Sequence, residues 1–194
     1  MKVVAFNCSS RKDGNTSILI DTVLKELSDN GIETKQIQLA GQKISTCLAC
    51  YKCFENKDKK CVICDDNVND CIKEMIESDG IIIGSPVYFS NITPTAAALI
   101  CRAGMVARAN GMLLSKKVGA AVVSQRRAGA MHAFSSINHF FTILEMIIVG
   151  SNYWNVGLGK QKGDVFNDQE GLDIMKKLGQ NMAWLLKQIH KDNK

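Results

Sequence analysis

Five cysteines fall within eighteen residues in the stretch CLACYKCFENKDKKCVIC, residues 47–64. Thiols at this density can hold a metal, pair as disulfides, cycle between thiol and disulfide, or sit idle in a loop. The chain has 194 residues, 46% of them hydrophobic, enough to bury a core without covalent staples. The N-terminal MKVVAFN runs directly into a strand-like pattern, with no apolar leader or cleavage site. The longest apolar runs fall short of the roughly 20 residues that cross a bilayer. The expectation is a cytoplasmic protein without membrane association. There, clustered thiols serve metal or redox roles more readily than structural disulfides. Cys50/Cys53 and Cys61/Cys64 form two CxxC pairs, so zinc and a redox disulfide both stay open.

Three other stretches carry polar or aromatic groups of the right kind for a ligand. SSRKDGNTS, residues 9–17, supplies hydroxyls and amides from Ser9, Ser10, Asn15, Thr16 and Ser17, and charge from Arg11 and Lys12. It leads into a helix start, where free backbone N–H groups and the helix dipole favour an anion. Its spacing matches neither a Walker loop nor GxGxxG, and suits a single terminal phosphate. GSPVYFSN, residues 84–91, combines Pro86 with Tyr88 and Phe89, which can line a flat ring. SQRRAGAM, residues 124–131, offers Arg126 and Arg127 to carbonyls or phosphate, with Gly129 permitting close approach. His132, His139 and His190 are scattered and have no evident partner. The net charge of +5 is spread along the chain, and Asp58 interrupts the run Lys57, Lys59, Lys60. That excludes a nucleic-acid stripe.

The elements that position these groups alternate strand and helix five times. KVVAFN, IETKQIQL, GIIIGSPVYF, KKVGAAVVSQ and IIVGSN read as strands. The helices are ILIDTVLKELSDNG, DDNVNDCIKEMIESD (capped by Asp65 or Asp66), TPTAAALICRAGMVARAN, GAMHAFSSINHFFTILEM and EGLDIMKKLGQNMAWLLKQIHK. Residues 157–163 read as a plain loop before the last helix. Several strands are apolar throughout, as when helices cover both faces of a parallel sheet. The pattern predicts one α/β three-layer sandwich over residues 1–194, with a cysteine-rich insertion at about 44–66 after strand two. Ligands of such sheets bind beyond the carboxyl ends of the strands, and the loops after strands one, three and four all arrive there.

These motifs, in this order, resemble the flavodoxin-like NAD(P)H-dependent FMN reductases, and most narrowly the iron–sulfur flavoproteins. The resemblance rests on SSRKDGNTS, the cysteine cluster before Asp65 and Asp66, GSPVYF, and FFTILEMIIVGSNYW. It implies a flavodoxin-like five-stranded sheet of order 2-1-3-4-5. It implies FMN with its phosphate held by Ser9, Arg11, Asn15, Thr16 and Ser17, and its ribityl chain and ring embraced by Pro86, Val87, Tyr88, Phe89 and Asn91. Ser124, Arg127 and Gly129 would approach the ring from the other side. Relatives are dimers or dimer-based tetramers. They often carry a Lys and an Asp-Arg pair in the helix after GSPVYF; this chain keeps Arg102 but has Cys101 in place of the acid.

The same resemblance assigns Cys47, Cys50, Cys53 and Cys61 to a 4Fe-4S cluster. Cys64 is then a neighbour, and Cys71 a buried residue. FMN with such a cluster would couple two-electron to one-electron chemistry, between NAD(P)H or a ferredoxin-like donor and a small acceptor. The flavin would carry the chemistry, with no catalytic acid or base. Three other readings stand beside this one: an NAD(P)H-dependent FMN or quinone reductase without a cluster, a non-catalytic flavin carrier, and a redox sensor. The carrier fits less well, since flavodoxins tend to be strongly acidic.

Overall fold

The computed structural model describes residues 1–191; the last three of the expected 1–194 span lie outside the described residues. Six strands form one parallel sheet: β1 (Lys2–Asn7), β2 (Glu33–Gln38), β3 (Gly80–Pro86), β4 (Val118–Gln125), β5 (Ile147–Ile148) and β6 (Val156–Leu158). Their order is β2-β1-β3-β4-β5, with β6 also pairing to β4. The helices are α1 (Asn15–Asp29), α2 (Lys52–Asn56), α3 (Val68–Glu77), α4 (Pro94–Ala109), α5 (Ala130–Ile143) and α6 (Gln169–Lys191). The flavodoxin-like order expected from the sequence is the observed one.

Alternate side chains of the central strands feed two cores, because a strand presents successive residues to opposite faces. Val3, Ala5, Ile82, Val118, Ala120 and Val122 face α1 and α6. Val4, Phe6, Ile81, Ile83, Ala121 and Val123 face α3, α4 and α5. The apolar runs noted in the sequence are thus two interleaved faces, both dry. At Gly84 a Cβ would lie 2.4 Å from Ile20 Cδ1 and 3.1 Å from Thr16 Cγ2. The missing side chain lets the start of α1 lie directly on β3. Among the described residues no helix is long and apolar enough to cross a membrane.

Three local expectations change. The helix read from Asp65 begins at Val68, and Asp66 Oδ1 accepts from the Val68 N–H at 3.1 Å. A short α2 forms inside the cysteine stretch. The last strand is split: only Ile147 and Ile148 pair with the first half of β4, while β6 pairs with its second half inside what read as a loop. Asn155 spans the gap. Its carbonyl accepts from the Val123 N–H at 3.0 Å, and its Nδ2 donates to Ala121 O at 3.0 Å. The buried edge of β4 therefore keeps its backbone partners although the neighbouring strand is interrupted.

Candidate functional site

The carboxyl ends of β1, β3, β4 and β6 enclose a cleft of about 300 Å³, at the lower end of the usual range for small-ligand sites. Its phosphate-like end is the start of α1. The N-cap there is Gly14, and no side chain caps the helix. The N–H groups of its first turn therefore have neither an intrahelical acceptor nor a side-chain one.

Hydroxyls and cations surround that terminus. Ser9 is buried, and its Oγ accepts from the Arg11 N–H at 3.1 Å, leaving its own proton to donate elsewhere. Thr16 Oγ1 and Ser124 Oγ lie 2.8 Å apart. One donates to the other, so one hydroxyl proton of the pair stays available. Arg11, Arg126 and Lys160 also line the cleft, and among the described residues no carboxylate does. This donor set, cationic and rich in N–H and O–H groups, fits a phosphate dianion. Pro86, Val87 and Tyr88 form the less polar wall, against which a flat ring can lie.

The loops after β3 and β4 meet. The Val87 N–H donates to Ser124 O at 3.0 Å. Gly129 has φ of 92°, and a Cβ there would reach within 2.7 Å of Ser90 Oγ. Only glycine suits both the conformation and the contact.

Of the thirteen residues assigned to flavin, eight line this cleft: Ser9, Arg11, Asn15, Thr16, Pro86, Val87, Tyr88 and Ser124. The other five do not. The Ser17 hydroxyl turns to Gln36 and Asp21. Asn91 Oδ1 accepts from the Ile92 N–H at 2.8 Å and from Ser136 Oγ at 3.1 Å. Phe89, with φ of 47°, is fully exposed. Gly129 supports the loop contact, and Arg127 lies outside the lining, where Arg126 stands instead.

The residues 159–161 were not foreseen at the site. Asn15 brings them in: its Nδ2 donates to Gln161 O at 2.8 Å, and its Oδ1 accepts from the Gly163 N–H at 2.9 Å. Arg11 Nη1 donates to Lys160 O at 3.2 Å. A Cβ on Gly159 would lie 2.4 Å from Asn15 Nδ2. The signal available in the sequence was a glycine-rich, lysine-bearing loop after a short apolar run. At three residues, Val156–Leu158 is too short a run to stand out as a strand by its pattern alone. His190 likewise has a partner far off in sequence, Asp79, at 3.3 Å.

The cysteines gather elsewhere. Cys47, Cys50, Cys53 and Cys61 line one small hollow against Arg102 and Met105 of α4. Arg102 lies eight residues past the start of α4, about 12 Å along the axis at 1.5 Å per residue. The hollow is therefore set well down the helical layer from the cleft-side end of α4. Cys64 lies in a different groove, with Lys59, Lys60 and Asp70. Four of the ten non-glycine residues with positive φ among those described are Ala49, Tyr51, Lys57 and Lys59 of this stretch. Strained backbone of this kind concentrates at functional sites. The Ala49 N–H points to Cys47 Sγ at 3.4 Å. Burial raises the Cys53 thiol above its ordinary value. Among the described residues no group of three or more His, Cys, Asp or Glu side chains is set to hold a single metal ion.

The comparisons with known proteins follow the same lines. The family described as NADPH-dependent FMN reductase matches residues 1–161. An iron–sulfur flavoprotein of Methanocaldococcus jannaschii is 38% identical over 198 residues, which cover 98% of this chain and 100% of that protein. Another, from Methanosarcina thermophila, is 28% identical over 194 residues, covering 99% and 98%. Among solved structures, RosB with a bound 8-demethyl-8-formylriboflavin-5'-phosphate intermediate superposes with a TM-score of 0.77 at 16% identity, covering 100% of this chain and 82% of that one. At that identity the likeness concerns the fold. The chain belongs to the NADPH-dependent FMN reductase family, with iron–sulfur flavoproteins among its relatives.

Proposed function

We propose that residues 1–194 form one FMN-binding domain whose cysteine-rich loop carries a 4Fe-4S cluster. Such a protein moves electrons between a reduced donor, NAD(P)H or a ferredoxin-like protein, and a small acceptor. It works in the cytoplasm as a homodimer or dimer-based tetramer. The observation that carries the flavin reading is the uncapped α1 terminus opening into a cleft lined by Arg11, Arg126 and Lys160. When bound, FMN exchanges electrons in pairs or singly and the cluster exchanges one at a time, so together they interconvert the two kinds of chemistry.

The chain's own residues bind and orient. The α1 N–H groups, Ser9, Thr16 and Arg11 hold the phosphate. Pro86, Val87 and Tyr88 support the ribityl chain and ring. The loops after β4 and β6 close the other side, with Arg126 and Lys160 adding positive potential at the rim. No acid or base is assigned among the cleft residues, because the flavin would carry the chemistry.

Cys47, Cys50, Cys53 and Cys61 would hold the cluster. Their donor set fits it: four soft thiolate ligands around one hollow, with the fourth on a separate arm. Four thiolates on one zinc ion, at Zn–S distances of about 2.3 Å, crowd together. A cluster spreads them over its corners. The second reading is a cluster-free FMN or quinone reductase.

Anaerobic purification with a visible spectrum and assays for flavin, iron, sulfide and zinc separates these readings. Iron and sulfide together with FMN support the first. FMN without iron, in protein never exposed to air, rejects the cluster. Absence of both bound flavin and flavin affinity rejects the whole proposal.

A further inference from the structure

Arg102 is the bulkiest of the fully buried side chains, and nothing in flavin binding requires it. Burying a guanidinium is costly unless its donors are all used. Here four of its five N–H donors are used, all on the cysteine loop. Nη1 donates to Ser45 O at 3.2 Å and pairs with the Asp66 carboxylate, itself wholly buried. Nη2 donates to Ile63 O at 2.7 Å, and Nε reaches Cys61 Sγ at 3.3 Å. One side chain thus ties together the entry to the loop, its exit and one thiol.

A staple for the loop would need only the two carbonyls and Asp66. The bond to sulfur is additional, and Cys61 is held from the other side as well. Asn69 Oδ1 accepts from the Cys61 N–H at 2.8 Å, and Asn69 Nδ2 donates to Cys61 O at 2.9 Å. Cys64, the rival by spacing, is exposed in the other groove and has no such contacts.

We propose that Arg102 is the positioning residue of the thiol site. It selects Cys61 over Cys64 as the fourth ligand and gives that sulfur an N–H···S hydrogen bond in the loaded protein. This rests on the cluster reading above. Hydrogen bonds to cluster-ligating sulfurs are one of the determinants of reduction potential. A donor favours the more negative, reduced state, so its loss lowers the potential.

The test reconstitutes wild type, Arg102→Lys and Arg102→Gln anaerobically with ferrous iron and sulfide. Each is scored for iron per flavin, for midpoint potential, and for which of Cys61 and Cys64 resists alkylation, read by mass spectrometry. Wild type is expected to protect Cys61 and leave Cys64 modified. The Gln variant should retain less than half of the wild-type iron, with protection divided between the two thiols. The Lys variant should keep more iron but show a more negative potential. Variants with wild-type potential and wild-type protection overturn the inference and leave the cluster reading intact. Loss of flavin along with iron in both variants would assign Arg102 to the fold as a whole and also overturn it. Wild type that takes up no iron rejects the cluster reading itself, and this inference with it.

Discussion

Replacing Asn15 by Ala isolates the residue that joins the phosphate loop to residues 159–163. The substitution removes two hydrogen bonds, to Gln161 O and from the Gly163 N–H. At about 0.5–1.5 kcal/mol net each, the loss is about 1–3 kcal/mol. Gln161 is exposed and Gly163 half-buried, so water can replace part of what is lost, and the lower half of that range applies. The loop also lines the cleft through Gly159, Lys160 and Gln161. Freed from Asn15, it must be ordered when the ligand binds, and the cost appears in affinity. At 1.4 kcal/mol per tenfold, a loss of about 1–2 kcal/mol weakens FMN binding roughly 5- to 30-fold. The melting temperature of the apoprotein falls by only a few degrees, at about 2–4 °C per kcal/mol for a chain of this size. Titration of apoprotein with FMN, followed by flavin fluorescence, reads the effect. Riboflavin is the control: it lacks the phosphate that the α1 end, Arg11 and the adjoining loop serve, and its affinity should change less. Unchanged FMN affinity, or an equal loss for both flavins, would refute the argument.

Three further outcomes follow from the same structure. Gly84→Ala places a Cβ against Ile20 and Thr16 and should cost about 1–3 kcal/mol of stability by urea denaturation; an unchanged midpoint would mean that α1 does not press on β3 as described. Burial raises the Cys8 thiol strongly and pushes Cys71 up to about 12, so brief alkylation of the native apoprotein at pH 8 should spare both and modify exposed Cys50, Cys64 and Cys101. Modification of Cys8 at the rate of Cys64, read by peptide mass spectrometry, would contradict its burial. Lys35 at 2.6 Å and Lys2 at 2.9 Å hold the Glu74 carboxyl below its ordinary value. A depressed folded value stabilises the protein above the unfolded carboxylate range, about 4.3 for Glu, and that stabilisation disappears as pH falls through the lower folded value. Glu74→Gln should therefore cost about 1 kcal/mol at pH 7 and progressively less in acid; a constant difference from pH 7 to pH 3 would rule the linkage out.

The elements were largely legible because burial leaves a local trace. Phe6, Ile81, Ile82 and Ile83 announce strands covered on both faces, and the spacing of Leu19, Val23, Leu24 and Leu27 announces a helix with one dry side. The parallel sheet and its helical layers follow from that alternation, since a two-faced apolar strand is stable only between helices. The cysteine spacing and the polar loop before α1 were equally local, and so were visible. The split of the last strand was not. Whether Ile147 to Val156 forms one strand or two depends on how Asn155 satisfies β4 across the gap, a partner 34 residues away.

The same division runs through the site. The residue types themselves determined that an anion could sit before α1, that aromatic and proline residues would follow β3, and that clustered thiols would follow β2. Which side chains face the ligand was decided by packing. Ser17 turns to Gln36, Arg126 rather than Arg127 lines the cleft, and Asn15 captures a loop nearly 150 positions away in sequence. Arg102 has Cys101 and no acid beside it in the sequence, and the fold supplies Asp66 from the cysteine loop. Periodicity records only whether a residue is buried. The partner that a buried polar group needs can come from any strand or loop that the topology brings within about 3 Å, and only the folded chain makes that choice.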